Sequence, residues 1–144
     1  MEIRLEPCYP DDQNREEQIE YMVGEYEEVQ EAVGPGDIAS EYLDVAQVTV
    51  GLIDIEGGHI PLFKIDKEEA IANIRRKRIS ITLNIKRFRI NRGNYKFAIF
   101  LIQKCLEMAY WICYENNISF ESLLNDHKKK LESRRREWEE INDG

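Results

Sequence analysis

Residues 14–55 read NREEQIEYMVGEYEEVQEAVGPGDIASEYLDVAQVTVGLIDI. In the first half Ile19, Met22, Val23, Tyr26, Val29 and Val33 recur at steps of three and four, the apolar stripe of an amphipathic helix. Gly34-Pro35-Gly36 interrupts that period. Asp37 or Ser40 is then placed to cap a second helix. Its apolar residues Ile38, Tyr42, Leu43, Val45, Ala46, Val48, Val50, Leu52 and Ile53 cover more than one face, so this helix is expected to be mostly buried. Gly57-Gly58 ends it. Two helices joined by a short turn pack as antiparallel neighbours, and the fold class that follows is all-α.

Downstream, residues 57–66 read as a loop around Pro61. Residues 67–90 are ambiguous. Ile71, Ile74, Ile81, Ile85 and Phe88 fit a helix, whereas Ile79, Ile81, Leu83 and Ile85 alternate as in a strand; the helical reading is preferred. Asn91-Arg92-Gly93-Asn94 is a turn, residues 95–114 form a strongly apolar helix, and Asn116-Asn117 breaks it. Ser119 with Glu121 in the first turn opens a last helix that passes through Leu123, Leu124, His127 and Leu131 to Trp138. A single all-α domain over residues 1–144 is expected, with a basic segment inserted at about 57–95 and its core completed by oligomerisation.

Composition narrows the class. Of 144 residues, 42% are hydrophobic and 33% charged, with 8 Gly and 4 Pro, which disfavours disordered, collagenous and membrane classes. No apolar run is read as a membrane span. The first twelve residues carry four acids and no basic region followed by an apolar stretch, so they do not read as a signal peptide, and a cytoplasmic location is expected. Cys8, Cys105 and Cys113 lack CxxC spacing and are expected to be reduced and structural. His59 and His127 have no second His or Cys at zinc spacing. Walker, dinucleotide and nucleophile-elbow motifs do not occur.

The net charge of -8 is unevenly spread: residues 1–50 hold fourteen Asp or Glu against Arg4 and Arg15. Residues 75–136 hold sixteen Lys or Arg against five acids. An acidic front half and a basic second half suit a cation and a polyphosphate. Glu25 and Glu28 lie three apart on the first helix, and Glu41 and Asp44 repeat that spacing on the second, so the two pairs would converge as oxygen ligands across the turn. Hard oxygen donors select Mg2+ or Mn2+. The first pair equally fits the solvated face of a Glu-rich helix. That reading suits Glu41 and Asp44 less well, because their helix is apolar on several sides and unpartnered acids there are costly.

Residues 25–32, EYEEVQEA, resemble the ExxE helix of the MazG-like nucleotide pyrophosphohydrolases, and residues 41–45, EYLDV, resemble the partner ExxD. Residues 117–124 followed by 127–134, HKKKLESR, are similar to that family's closing helix with its Lys-Leu-x-x-Arg element. The resemblance covers residues 18–55 and 95–138. It implies a MazG-like helical bundle and a homodimer or homotetramer. The implied activity is Mg2+-dependent hydrolysis of a nucleoside or deoxynucleoside triphosphate to the monophosphate and pyrophosphate. Glu25, Glu28, Glu41 and Asp44 would act as metal ligands and catalytic carboxylates, and Lys130 and Arg134 as phosphate-binding residues. A related phosphoanhydride such as phosphoribosyl-ATP or dUTP is an alternative substrate.

The segment 57–95 departs from compact members of that family. It carries Arg75, Arg76, Lys77, Arg78, Lys86, Arg87, Arg89 and Arg92 with no acid between 70 and 92. A solvated or acid-paired helix face accounts for it, and nucleic-acid binding is disfavoured by the overall acidity. It also supports a different class of function, a non-catalytic helical adaptor or regulator that binds an acidic partner through residues 75–92.

Overall fold

The computed structural model describes residues 1–143 and is mostly helical, with six helices and two very short strands. Asn14 starts α1 (Arg15–Glu31) with a reciprocal capping box: the Glu17 amide donates to Asn14 Oδ1 at 2.9 Å, and the Asn14 amide donates to Glu17 Oε1 at 3.3 Å. Gly34 then adopts φ +95°, open to glycine without strain, and Pro35 opens α2 (Pro35–Ile55) at its first turn. The start therefore lies upstream of both expected caps. Asp37 falls in the first turn, where a negative charge is favoured, and Ser40 lies inside the helix.

Every residue from 42 to 53 in α2 is buried, as its all-round apolar pattern requires. It packs against α1 on one side and most extensively against α5 (Tyr95–Glu115). Gly51 sets the close α1–α2 approach, since a Cβ there would meet Gln18 Nε2 at 2.5 Å. The space lets buried Gln18 donate to the Val48 carbonyl at 2.8 Å. By length and composition α5 is apolar enough to pass for a membrane span, which the sequence reading did not expect. In this fold it is a core helix, with Leu101, Ile102, Cys105, Leu106, Met108 and Ala109 fully enclosed. Burying each of the larger aliphatic chains contributes about 1.5–3 kcal/mol. Asn94 Oδ1 accepts from the Lys96 and Phe97 amides to start α5, and Ser119 Oγ accepts from the Ser122 amide to start α6 (Phe120–Asp143).

The region between α2 and α5 is more structured than expected. Phe63–Lys64 forms β2 and pairs antiparallel with β1 (Glu2–Ile3), and the first ammonium group donates to the Ile65 carbonyl. The single helix expected over 67–90 is divided into α3 (Lys67–Ile71) and α4 (Ile74–Arg89). Extended Ala72 and left-handed Asn73 (φ +55°) part them, a conformation that asparagine tolerates better than most residues. Along α4, Ile81, Ile85 and Phe88 are buried while Ile79 and Leu83 are exposed, which resolves the strand-like alternation in favour of the helical period.

Hydrogen bonds from Arg15 to Asn91 and between Tyr26 and Thr82 fix α4 beside α1, running antiparallel to it. The cations of α4 are mostly exposed, and Lys77 pairs with Glu107. Arg78 and Arg87 lie over the rings of Trp111 and Phe97 at 5.5 and 4.4 Å, while Lys77 is buried.

Candidate metal centre

Because α1 and α2 run antiparallel through the turn at Gly34, Glu25 and Glu28 on one helix meet Glu41 on the other. Each of the three offers a carboxylate oxygen, and these oxygens all lie within 4.8 Å of one another. Glu25 is buried, Glu41 half-buried and Glu28 exposed, so solvent reaches the group from the Glu28 side. The fourth expected member, Asp44, is adjacent but does not join that trio. Its carboxylate engages α6 instead: Lys130 Nζ donates to Oδ2 at 2.8 Å, and His127 Nδ1 stands 3.5 Å from Oδ1.

The electrostatics follow from this packing. Burial pushes the Glu25 carboxyl up to about 7, and the neighbouring Asp44, Glu28 and Glu41 charges push the same way. Glu41 is likewise raised to about 7, first by burial and then by hydrogen bonding with Glu28 and the charges of Asp44 and Glu28, against a lowering pull from Lys130. At Asp44 burial also raises, but His127 and Lys130 more than offset it and hold the carboxyl below its ordinary value.

Glu25 Oε2, Glu41 Oε2, Asp44 Oδ1 and His127 Nδ1 are buried without a hydrogen-bond partner. Buried polar atoms are normally satisfied, and four unpartnered ones in a single cluster mark it as incomplete. Carboxylate oxygens from two rigid helices, open on one side, are a donor set that fits Mg2+ or Mn2+.

His127, which lacks a zinc-spaced partner in the sequence, is buried. Gln47 Nε2 donates to the Glu6 carbonyl at 2.7 Å, which leaves Gln47 Oε1 as the acceptor for His127 Nε2 at 3.1 Å. That network places a proton on Nε2 and turns Nδ1 toward Asp44, to which it donates only when it carries a proton as well. The spacing of His127 and Lys130, three residues apart on one helix, was the available sign that both serve the same carboxylate. Gln47, one turn after Asp44, gave no comparable sign.

Arg134 lies one turn beyond Lys130 and is half-buried, with no ion pair among the described residues. Its neighbour Arg135 donates to the Pro7 carbonyl at 2.7 Å. A cleft of about 1040 Å3 is lined by residues including Tyr9, Asp54, Arg135 and Trp138 and contains none of the four carboxylates. The open carboxylate group, rather than that cleft, is where the chemistry-bearing residues meet. Compared with protein-family models, curated proteins and solved structures, the chain shows no match.

Proposed function

We propose that this chain is a Mg2+- or Mn2+-dependent nucleoside triphosphate pyrophosphohydrolase of the MazG-like kind. The observation that carries the reading is the convergence of Glu25, Glu28 and Glu41, of which Glu25 and Glu41 each hold a buried oxygen without a partner. These three would hold the ion, with Asp44 as the fourth carboxylate at its edge. A divalent ion held there supplies positive charge against the polyphosphate and increases the acidity of water.

The remaining work falls to side chains. Lys130 and Arg134, four apart on α6, hold phosphate oxygens with an ammonium and a guanidinium. One of the carboxylates orients a water toward the alpha phosphorus and takes its proton. The oxygen–phosphorus bond to the departing pyrophosphate breaks as the new bond forms, giving the monophosphate and pyrophosphate. The family resemblance supports a homodimer or homotetramer as the working assembly.

Pyrophosphate release from a panel of ribo- and deoxyribonucleoside triphosphates, with Mg2+, Mn2+ or a chelator, tests the reading. Release that requires the ion supports it, and silence across the panel removes it. One observation favours the adaptor reading in that event: α4 exposes Ile79 and Leu83 among exposed Arg75, Arg76, Arg78 and Lys86, a surface suited to an acidic partner.

A further inference from the structure

Glu25, Glu28 and Glu41 converge, whereas Asp44 is turned toward α6. A carboxylate only 4% exposed is not stable alone, and its two α6 partners differ in kind. His127 is itself 4% exposed at the side chain and fixed from behind by Gln47. Lys130 reaches Asp44 with a side chain that is 40% exposed and carries its charge on a flexible stem, so its ammonium can return to water at small cost. Asp44 therefore has one fixed neighbour, His127 Nδ1 at 3.5 Å, and one removable hydrogen-bond partner, Lys130. A single ammonium on Asp44 Oδ2 also leaves Glu25 Oε2 and Glu41 Oε2 unpartnered, so it balances the cluster only in part.

We propose that Lys130 is a tethered counter-ion for the acidic centre, holding Asp44 when no divalent ion is bound and competing with a divalent ion for the field of the four carboxylates. This rests on the metal-centre reading above. Loading of the ion weakens the hold on Lys130 and frees its ammonium, one turn from Arg134, for the polyphosphate. By linkage, anything that draws Lys130 from Asp44 raises affinity for the ion by the same factor. The two roles of Lys130, on Asp44 and on phosphate, become successive.

The test is Mn2+ titration of the free chain, read by the paramagnetic signal of the unbound ion, so that no turnover is needed. Removing a unit positive charge from a partly exposed position beside the ion gives Lys130→Met about tenfold tighter Mn2+ binding than the wild type. Lys130→Arg, which keeps the charge, stays within about threefold of wild type. In an Asp44→Asn background the tightening produced by Lys130→Met shrinks, which assigns the competition to this pair. Should Lys130→Met not fold, Lys130→Gln keeps a donor for Asp44 without the charge and gives the same tightening.

Equal or weaker binding by a folded, uncharged variant overturns the counter-ion role while leaving the metal centre intact. Absence of Mn2+ binding by the wild type and the uncharged variants alike overturns both.

Discussion

Among the described residues, charge is buried in two places, and they are built to opposite rules. Around Glu107, 1% exposed, one carboxylate meets two ammoniums: Lys104 at 3.3 Å and Lys77 at 3.6 Å, with Gln103 donating at 3.2 Å. Lys77 is completed by the Glu69 and Ala70 carbonyls at the end of α3. Burial depresses the Lys77 ammonium below its usual range, while Glu107 works against that shift. Around Glu25, Glu28, Glu41 and Asp44, four carboxylates meet one ammonium and one imidazole. All the buried unpartnered side-chain atoms among the described residues lie in this second cluster. The Glu107 cluster is a finished strut that locks α3 and α4 to α5, whereas the acidic cluster has an unmet need for positive charge.

The largest effect should come from the acidic side of this comparison. Glu41→Gln is expected to lower Mg2+-dependent pyrophosphate release by about 100-fold or more, as loss of a ligand at a charge-stabilising ion would, with circular dichroism unchanged. Retained activity would mean the two clusters do not differ as argued. On the finished side, Glu107→Gln leaves Lys77 buried without its counter-charge and should cost about 3 kcal/mol in urea denaturation. Its folded fraction should bind Mn2+ as the wild type does.

The pH response should separate the clusters further. Glu25 and Glu41 have native values near 7 against an ordinary 4.5, so the native state binds more protons than the unfolded chain between those values. Stability without divalent ions is therefore greatest below about 4.5 as far as these two groups are concerned, and falls as pH rises through about 7. Mg2+ should offset that fall at pH 8, because it binds the deprotonated carboxylates. Glu25→Gln should raise the melting temperature of the ion-free protein at pH 8 and abolish the response to Mg2+. A Glu25→Gln protein that melts lower, or a wild-type profile that stays flat, would break the assignment. The smallest effect belongs to the frame alone: Asn14→Ala removes the cap of α1, costing about 1 kcal/mol with unchanged Mn2+ affinity.

Much of this arrangement was legible along the chain, and the reasons are local. The period of Ile19, Met22, Tyr26 and Val29 gave α1; the breaks at Gly34-Pro35, Gly57-Gly58 and Asn116-Asn117 gave boundaries close to those observed. The spacing of Glu25 with Glu28 and of Glu41 with Asp44 placed both pairs on neighbouring helices. The β1–β2 pairing was not legible, because strands of two residues carry no period and their partners lie about sixty positions apart. The break at Ala72–Asn73 escaped because a single asparagine entering left-handed backbone leaves the apolar period almost undisturbed.

The helical class, the acidic and basic halves and the carboxylate pairs could be read from the chain alone, since they depend on composition and on spacings of a few residues. Which carboxylates meet was decided by tertiary structure. Three residues along a helix is 60° short of a full turn, enough for Glu41 to face α1 while Asp44 faces α6. The partners of Asp44, at Lys130 and His127, are brought to it only by the packing of α6 on the core. A local pattern fixes the direction of a side chain on its own helix, and only the assembled core fixes what it meets there.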